Sequence, residues 1–306
     1  MNKLILSFAI FFSSGSLLAQ TITDGLMMPK KDLCTGFLYS HDQWKDYWEG
    51  SLKRDNQNIG TITTTQITWV GVYGVTDKIN VIAMLPYVKT SASGGTLTGL
   101  DGIQDLTLAV KYNLWKKDIG SGNLSLFGVG SFSTPLTNYT PDFLPLSIGM
   151  ASTTVSGRLT ANYRLNNGWY ANASAGYVWR NNVSLDRPSY FTDGNIYYTN
   201  QVWMPHQIAA MYSIGYLKNA LQAEINLTTQ NTLGGGDIRR QDMPFVSNRM
   251  NFLKMGATVM YYPPKPKGLA VRAQFSYTAS GINVGQSTTL MGGLLYTIHF
   301  AKKENQ

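Results

Sequence analysis

The feature that most constrains this chain is a strict alternation of apolar and polar side chains from Asp105 to Leu114. A period of two predicts a β-strand with one apolar and one polar face, and about ten residues suit a strand that crosses a bilayer at a tilt. The apolar set is Leu106, Leu108, Val110, Tyr112 and Leu114, and the opposite set is Asp105, Thr107, Ala109, Lys111 and Asn113.

The same alternation recurs along the chain and predicts about twelve strands between residues 33 and 300. Tight turns predicted at 76–77, 116–122, 166–168, 218–219 and 263–268 alternate with longer connections. This order is typical of an all-β, transmembrane, antiparallel up-and-down barrel of the outer-membrane type, whose short turns face the periplasm. A soluble sandwich or propeller is the alternative fold. Aromatic residues beside the tight turns favour the membrane barrel, since they suit an interfacial girdle: Trp115, Trp169, Tyr216, Tyr261 and Tyr262.

The chain ends are predicted to lie outside the barrel domain. Residues 1–19 have a basic start, an apolar core and a small residue at a cut after Ala19, which is the pattern of a secretory signal peptide. Residues 20–32 form either a periplasmic tail or a lumen-plugging segment, and their lack of a clear period favours the tail. Residues 301–306 form a carboxy-terminal tail. Together with the strand pattern, the signal peptide predicts the bacterial outer membrane as the location.

Charge and cysteine content exclude several other classes. Of the 306 residues only 14% are charged, the net charge is +8, and loss of Lys3 with the signal peptide removes one charge and leaves +7. The basic residues are spread through the strands without a cluster, so nucleic-acid binding is not indicated. Cys34 is the single cysteine and is predicted to be a small buried or lipid-facing residue.

Residues 73–114 resemble an outer-membrane family named for the meta-pathway of phenol degradation. The similar segments are Tyr73-Gly-Val-Thr-Asp-Lys-Ile-Asn-Val81, Leu85-Pro-Tyr87, Gly102-Ile-Gln-Asp-Leu106 and Ala109-Val-Lys-Tyr-Asn-Leu114. Gln104 departs from the second glycine that the family usually has in Gly-x-Gly-Asp. The resemblance implies an architecture similar to the long-chain fatty-acid porins and passage of hydrophobic or aromatic compounds. Residues 292–300 are similar to the carboxy-terminal signal read by the barrel assembly machinery.

The polar face collects charges that would line the lumen. A basic lumen favours anionic or polarisable aromatic solutes through charge and cation–π contacts. The alternative is that these groups pair across the lumen and fill it, since unpaired buried charges are costly. The predicted lumen and solute-path residues are Asp105, Lys111, Arg158, Arg164, Arg180, Glu224, Lys254 and Arg272.

Two rival functions remain open, an enzyme and a structural or adhesive barrel that works through its surface loops. His41 and His206 are predicted near the outer rim and His299 at the periplasmic end, so they do not suggest one catalytic site. There is no Gly-x-Ser-x-Gly elbow or His-x-x-x-His pair. A lipid-acting enzyme is therefore disfavoured, and no catalytic residue, metal or cofactor is predicted. The expected partners are outer-membrane lipid, the assembly machinery and a small solute, with passage down a gradient.

Overall fold

The computed structural model describes residues 21–239 and 243–300. The predicted signal peptide and carboxy-terminal tail lie outside the described residues. In the part of the chain that is described, no helix is long and apolar enough to cross a membrane. Twelve long strands form the wall: β1 Asp32–Trp44, β2 Ile62–Gly74, β3 Ile79–Ala92, β4 Asp105–Ile119, β5 Gly122–Pro135, β6 Thr154–Leu165, β7 Trp169–Arg180, β8 Gln207–Lys218, β9 Leu221–Thr232, β10 Asn251–Tyr261, β11 Leu269–Ile282 and β12 Thr288–His299.

The twelve strands close into a ring. Each strand pairs antiparallel with its neighbours in the chain, and β1 pairs with both β2 and β12. The closing register places Leu33 opposite Ile298 and Gln43 opposite Thr288. A closed sheet leaves no unpaired strand edge, which is the condition for crossing a bilayer with strands. The predicted up-and-down barrel of twelve strands is confirmed.

The two faces of the wall are those that the alternation predicted. The outward side chains of Leu108, Leu159 and Ile225 are 44%, 57% and 66% exposed, as expected for residues that meet lipid. On the opposite face, Lys111 is completely buried and Glu224 is half-buried. The apolar surface therefore faces out, the reverse of a soluble fold, and the protein is an outer-membrane barrel.

The two ends of the barrel differ in the length of their connections. One end holds the beginning of β1 at Asp32 and the end of β12 at His299. The tight turns lie at this same end, at 75–78, 120–121, 166–168, 219–220 and 262–268. The other end holds the short turn 283–287 and the longer connections, which are 45–61, 93–104, 136–153, 181–206 and the described parts 233–239 and 243–250 of the last one. Short turns face the periplasm in such barrels. We therefore call the half of the lumen nearer the tight turns the lower lumen, and the half nearer the longer connections the upper lumen.

Two irregularities flank the alternating stretch that begins at Asp105. Before it, Gln104 separates β4 from Asp101–Ile103, a short strand that pairs with β3. A β-bulge between Asn113 and Trp115 then extends β4 through most of the predicted turn 116–122. A bulge exchanges the faces of the residues that follow it, so the period-two pattern ends there although the strand continues.

The aromatic girdle is smaller than predicted. Trp115, Trp169 and Tyr261 are exposed on the outer face, and Tyr216 packs edge-to-face on Trp169 with the ring centroids 5.6 Å apart. Tyr262 instead points into the lumen and is buried, where its hydroxyl donates to the Met260 sulfur at 2.8 Å. The prediction that Tyr262 belongs to the girdle was wrong, because Tyr262 follows the inward-facing Met260 by two residues and continues the same face.

Candidate functional site

The lower lumen is lined by two unlike arcs of the wall. Neighbouring strands β10, β11, β12 and β1 to β5 contribute one buried apolar side chain each, and we call these eight residues the apolar arc: Met260, Ala270, Leu295, Cys34, Val72, Ile82, Ala109 and Val129. Cys34 is thus a buried residue of the lumen side, one of its two predicted places. Strands β6 to β9 form the polar arc: Asn162, Tyr170, Asn172, Ser213, Gln222 and Glu224.

Residues 21–31 lie between these two arcs. Leu26 and Met28 are buried, and Met28 belongs to the same apolar cluster as the apolar arc, with Ile22 packed against it. At the polar arc, a Cβ on Gly25 would come within 2.3 Å of the Asn162 side chain, so the backbone approaches that wall closely. The sequence favoured a periplasmic tail, and these contacts differ from that expectation because alternation reveals strands and not a segment packed inside them.

The described amino-terminal segment is fixed by a buried ion pair. Lys111 Nζ donates to the Asp24 carboxylate at 2.8 Å and to the backbone carbonyls of Asp24 and Thr21 at 2.6 and 3.2 Å. The same ammonium lies 5.2 Å from the centroid of the Phe127 ring. Every donor of this lysine therefore has a partner, as a fully buried ammonium requires.

A hydrogen-bonded chain runs along the polar arc from strand to strand. Asn162 donates to Asn172 at 2.6 Å, Asn172 donates to Ser213 at 3.1 Å, and Ser213 donates to Glu224 Oε2 at 3.0 Å. Tyr170 also donates to Glu224 Oε2, at 2.9 Å. These contacts fix the carboxylate against the wall and leave Glu224 Oε1 without a hydrogen bond from any described residue.

Between the polar arc, Arg272 and the amino-terminal segment lies a small cavity of about 140 Å³. It is lined mainly by polar side chains, among them Asp24, Glu224, Asn226, Thr258 and Arg272. Arg272 donates Nη2–H to Gln274 at 2.9 Å, and its buried Nε has no hydrogen-bond partner among the described residues. The cavity thus contains a guanidinium whose bonding capacity is only partly used.

The eight predicted lumen residues all lie on the inner face, but they form two groups. Lys111, Arg164, Glu224 and Arg272 belong to the lower lumen, and Asp105, Arg158, Arg180 and Lys254 belong to the upper lumen near the long connections. The pairing of β3 with β4 supports this division. Lys111 lies opposite Asn80, which is the second residue of β3 after the tight turn 75–78. Their role as a solute path stays a prediction.

The upper group makes contacts with neutral partners. Arg158 Nη1 donates to Ser174 at 3.0 Å, Arg180 Nε donates to the Pro205 carbonyl at 2.7 Å, and Lys254 Nζ lies 5.1 Å from the Phe252 ring centroid. Asp105 accepts a hydrogen bond from Tyr139 at 2.7 Å. Burial and this hydrogen bond raise the pKa of the Tyr139 phenol, so it remains a donor at neutral pH.

The alternative that the lumen charges simply pair with each other does not describe this lumen. Among the described residues, only Lys111 of the six predicted cations has a carboxylate within 4.0 Å. Its partner Asp24 was not a predicted site residue. The available signal was that Asp24 is the one acid in residues 20–31, a segment that also carries Ile22, Leu26 and Met28 and faces a basic lumen.

Two of the three histidines lie toward the upper end of the barrel, and the third lies at the periplasmic end. His41 is near the upper end of β1, and His206 precedes β8, where its Nδ1 accepts the Arg180 backbone N–H at 3.1 Å. His299 ends β12 at the periplasmic end and lies 2.8 Å from Asp32. Within residues 21–239 and 243–300, no group of three or more His, Cys, Asp or Glu side chains could hold a metal ion.

Comparison with known proteins places these features in a wider group. The family model described as "Putative MetA-pathway of phenol degradation" matches residues 56–291. An outer membrane channel from Pseudomonas putida F1 has a similar structure, with a TM-score of 0.69 at 15% identity over 89% of this chain and 97% of that one. The translocator domain of autotransporter NalP from Neisseria meningitidis has a TM-score of 0.46 at 10% identity over 91% of both chains. No curated protein matches.

Proposed function

Because this chain belongs to the family described for the MetA pathway of phenol degradation, we propose that it passes small solutes, including aromatic compounds, across the outer membrane. Passage is passive and follows the concentration gradient through the lumen. The solute path consists of the eight predicted residues from Asp105 in the upper lumen to Arg272 in the lower lumen.

One observation carries this proposal. Five of the six predicted lumen cations have no carboxylate within 4.0 Å in the described part of the chain. A barrel whose interior served only as a filled core would pair such charges, since an uncompensated buried charge costs several kcal/mol. Cations that keep their charge without a fixed partner suit a path in which water and a mobile solute supply the compensation. Lys254 and Arg164 also lie near aromatic rings, which suits weak contacts with aromatic solutes.

The amino-terminal segment determines how this path opens. With Met28 on the apolar arc and Asp24 on Lys111, residues 21–31 occupy the lower lumen, so free passage requires them to move. We therefore expect low conductance in the resting barrel. We expect higher conductance when the segment is released.

Planar-bilayer recording of the purified barrel tests the proposal. A potassium chloride gradient should give a small conductance whose reversal potential indicates preference for anions, because the lumen is basic. Liposomes containing the barrel should swell faster in benzoate than in an uncharged sugar of similar size. Absence of conductance from both the intact barrel and a variant without residues 21–31 would contradict passive transport.

A further inference from the structure

The cavity in the lower lumen has two functional groups with unused bonding capacity at opposite sides. Arg272 lies on β11 in register with Met260 and Gln222, and Glu224 lies on β9 in register with Thr258 and Gln274. Their strands are separated by β10, so the two backbones are about 10 Å apart across the sheet. No ion pair forms between them within 4.0 Å in the described structure, and both side chains line the cavity.

The Arg272 side of the cavity can accept an anion. Its guanidinium makes one hydrogen bond, from Nη2 to the neutral Gln274 side chain, and its Nη1 donors have no partner among the described residues. Asp24, the other carboxylate of the lining, is already occupied by Lys111 and by the backbone N–H of Leu26. A guanidinium with free donors binds a planar carboxylate better than any other common group, because two parallel N–H bonds can form.

The Glu224 side of the cavity can accept a hydrogen-bond donor. Tyr170 and Ser213 both donate to Oε2, and this shared arrangement holds the carboxylate in one orientation. Oε1 is the atom that these bonds leave available. A ligand with a hydroxyl or ammonium group would supply the donor that the carboxylate lacks.

We propose that this cavity is a binding site for a small carboxylate that carries a hydrogen-bond donor at its opposite end. The carboxylate pairs with Arg272, and the donor bonds to Glu224. Thr258 and Asn226 line the space between them, and Asp24 with Thr21 and Thr23 contributes the wall formed by the amino-terminal segment. The ligand of this site would also be a substrate of the proposed channel, and to that extent the inference rests on the proposed function.

The size of the cavity limits the ligand. Its volume of about 140 Å³ is close to the ~150 Å³ of an engineered cavity that holds benzene. Short amino acids such as β-alanine share the required chemistry and are no larger than benzene. Hydroxylated aromatic acids share the chemistry but are larger, so they require the wall formed by the amino-terminal segment to move outward. The two classes differ in which donor meets Glu224, a neutral hydroxyl or a charged ammonium.

Titration calorimetry on the purified, full-length barrel tests the site with three probes. These are 4-hydroxybenzoate, β-alanine, and benzoate, which lacks the donor. We expect at least one of the first two to bind more tightly than benzoate, and the better of them identifies the source of the donor. Arg272→Gln should weaken its binding about tenfold or more, since a charged hydrogen bond is lost. Arg272→Lys should restore part of the affinity.

Glu224→Gln gives the discriminating result. This variant should reduce the affinity for the donor-bearing ligand to that for benzoate, while benzoate binding stays within about twofold because it makes no bond to Glu224. Lys117→Gln removes a charge at an exposed position of β4 and should leave all affinities unchanged. Heat-modifiable gel mobility of each variant shows whether the barrel has folded.

Two outcomes would overturn the site: no binding of either donor-bearing ligand, or binding that Arg272→Gln leaves unchanged in a folded barrel. Ion conductance recorded on the same samples separates this inference from the proposed function. If the barrel conducts ions but binds neither donor-bearing ligand, the binding site is contradicted and the proposed function is not. Binding without conductance in any variant contradicts transport and leaves the site in place.

Discussion

The lower and upper lumen use the same kind of inward charge in different ways. In the lower lumen, Lys111 is fully buried and has an acid and two carbonyls as partners, all from residues 21–24. In the upper lumen, Arg158 and Lys254 contact a hydroxyl and an aromatic ring instead. For these three residues burial explains the difference: Lys111 has no access to water and its ammonium needs a fixed counter-charge, whereas Arg158 and Lys254 are only half-buried.

This difference indicates which half controls passage and which half selects the solute. In the lower lumen, residues 21–31 are held both by apolar packing and by an ion pair. The lower lumen therefore opens only when this segment leaves its packed position. The upper lumen has fixed cations on a rigid wall, so its contribution to selectivity is present in either state. The following changes test this division, beginning with the largest expected effect.

Asp24→Ala should release the amino-terminal segment. The variant leaves the fully buried Lys111 ammonium without a carboxylate, at a cost of about 3–5 kcal/mol, and the segment loses its main polar anchor. We expect a marked increase in single-channel conductance and faster hydrogen exchange in residues 21–31.

The matched control removes both charges. Asp24→Ala combined with Lys111→Met leaves no unpaired ammonium, and Leu26 and Met28 still pack against the apolar arc. The double variant should therefore return toward the low conductance of the unmodified barrel. Equal conductance in the single and double variants would mean that the ion pair does not hold the segment.

Gly74→Ala should open the lower lumen by a steric route. A Cβ at this position would lie 1.9 Å from the Pro29 carbonyl oxygen, and the Gly74 carbonyl accepts the Lys31 backbone N–H at 2.8 Å. The chain must shift, and overpacking of this kind costs about 1–3 kcal/mol. We expect a smaller rise in conductance than for Asp24→Ala, measured under identical salt and voltage.

Gly130→Ala is the control for this substitution. Gly130 lies on the outer face of β5, and no atom lies within 4 Å of its added Cβ. Conductance and stability should be unchanged, with a stability effect within about 0.5 kcal/mol. A similar rise in both alanine variants would show that the gating effect does not depend on contact with residues 29–31.

The wall of the barrel was predictable from sequence, and the content of its lumen was not. Lipid on one side and the lumen on the other impose opposite chemistry on alternate residues, so Leu108 and Lys111 could be assigned to their faces. Local pattern fails where tertiary packing decides. The bulge after Asn113 interrupts the period, so counting by two no longer gives the face of the residues that follow it.

The candidate site was only partly predictable for the same reason. Arg272 and Glu224 were identified because a charge on the polar face of a strand is conspicuous. Tyr170 and Ser213, which orient Glu224, are common residues on such a face. Asp24 lies on a segment without a period, so its pairing with Lys111 depends on a long-range contact that no local rule indicates.

Arg158→Gln tests the contribution of the upper lumen to selectivity. Removing this cation should lower the anion-to-cation permeability ratio by roughly twofold at 0.1 M salt, where the screening length is ~10 Å, without releasing residues 21–31. The reversal potential in a salt gradient measures the ratio. Lys89→Gln removes an exposed outward charge from β3 and should have no effect on it. A change in hydrogen exchange of residues 21–31 in Arg158→Gln would contradict the division between the two halves.

The smallest effect concerns the loops above the upper lumen, where Asp237 joins two connections. It accepts hydrogen bonds from Asn283 at 2.7 Å and from Arg249 at 2.8 and 3.0 Å. Burial alone would raise the pKa of the Asp237 carboxyl, but the bonds from Asn283 and Arg249 outweigh it and lower the pKa below its ordinary value. The ionised form is therefore favoured in the folded protein.

The sign of the pH effect follows from that lowered pKa. The stabilisation is fully present above the unfolded pKa of about 3.9 and is lost as the pH falls through the lower, folded pKa. Hydrogen exchange in residues 233–239 and 243–250 should thus increase below about pH 4. Asp237→Asn should show the faster loop exchange already at neutral pH. Because Asp237 is nearly half exposed, we expect a modest change, and unchanged loop exchange in Asp237→Asn would show that other contacts hold these connections.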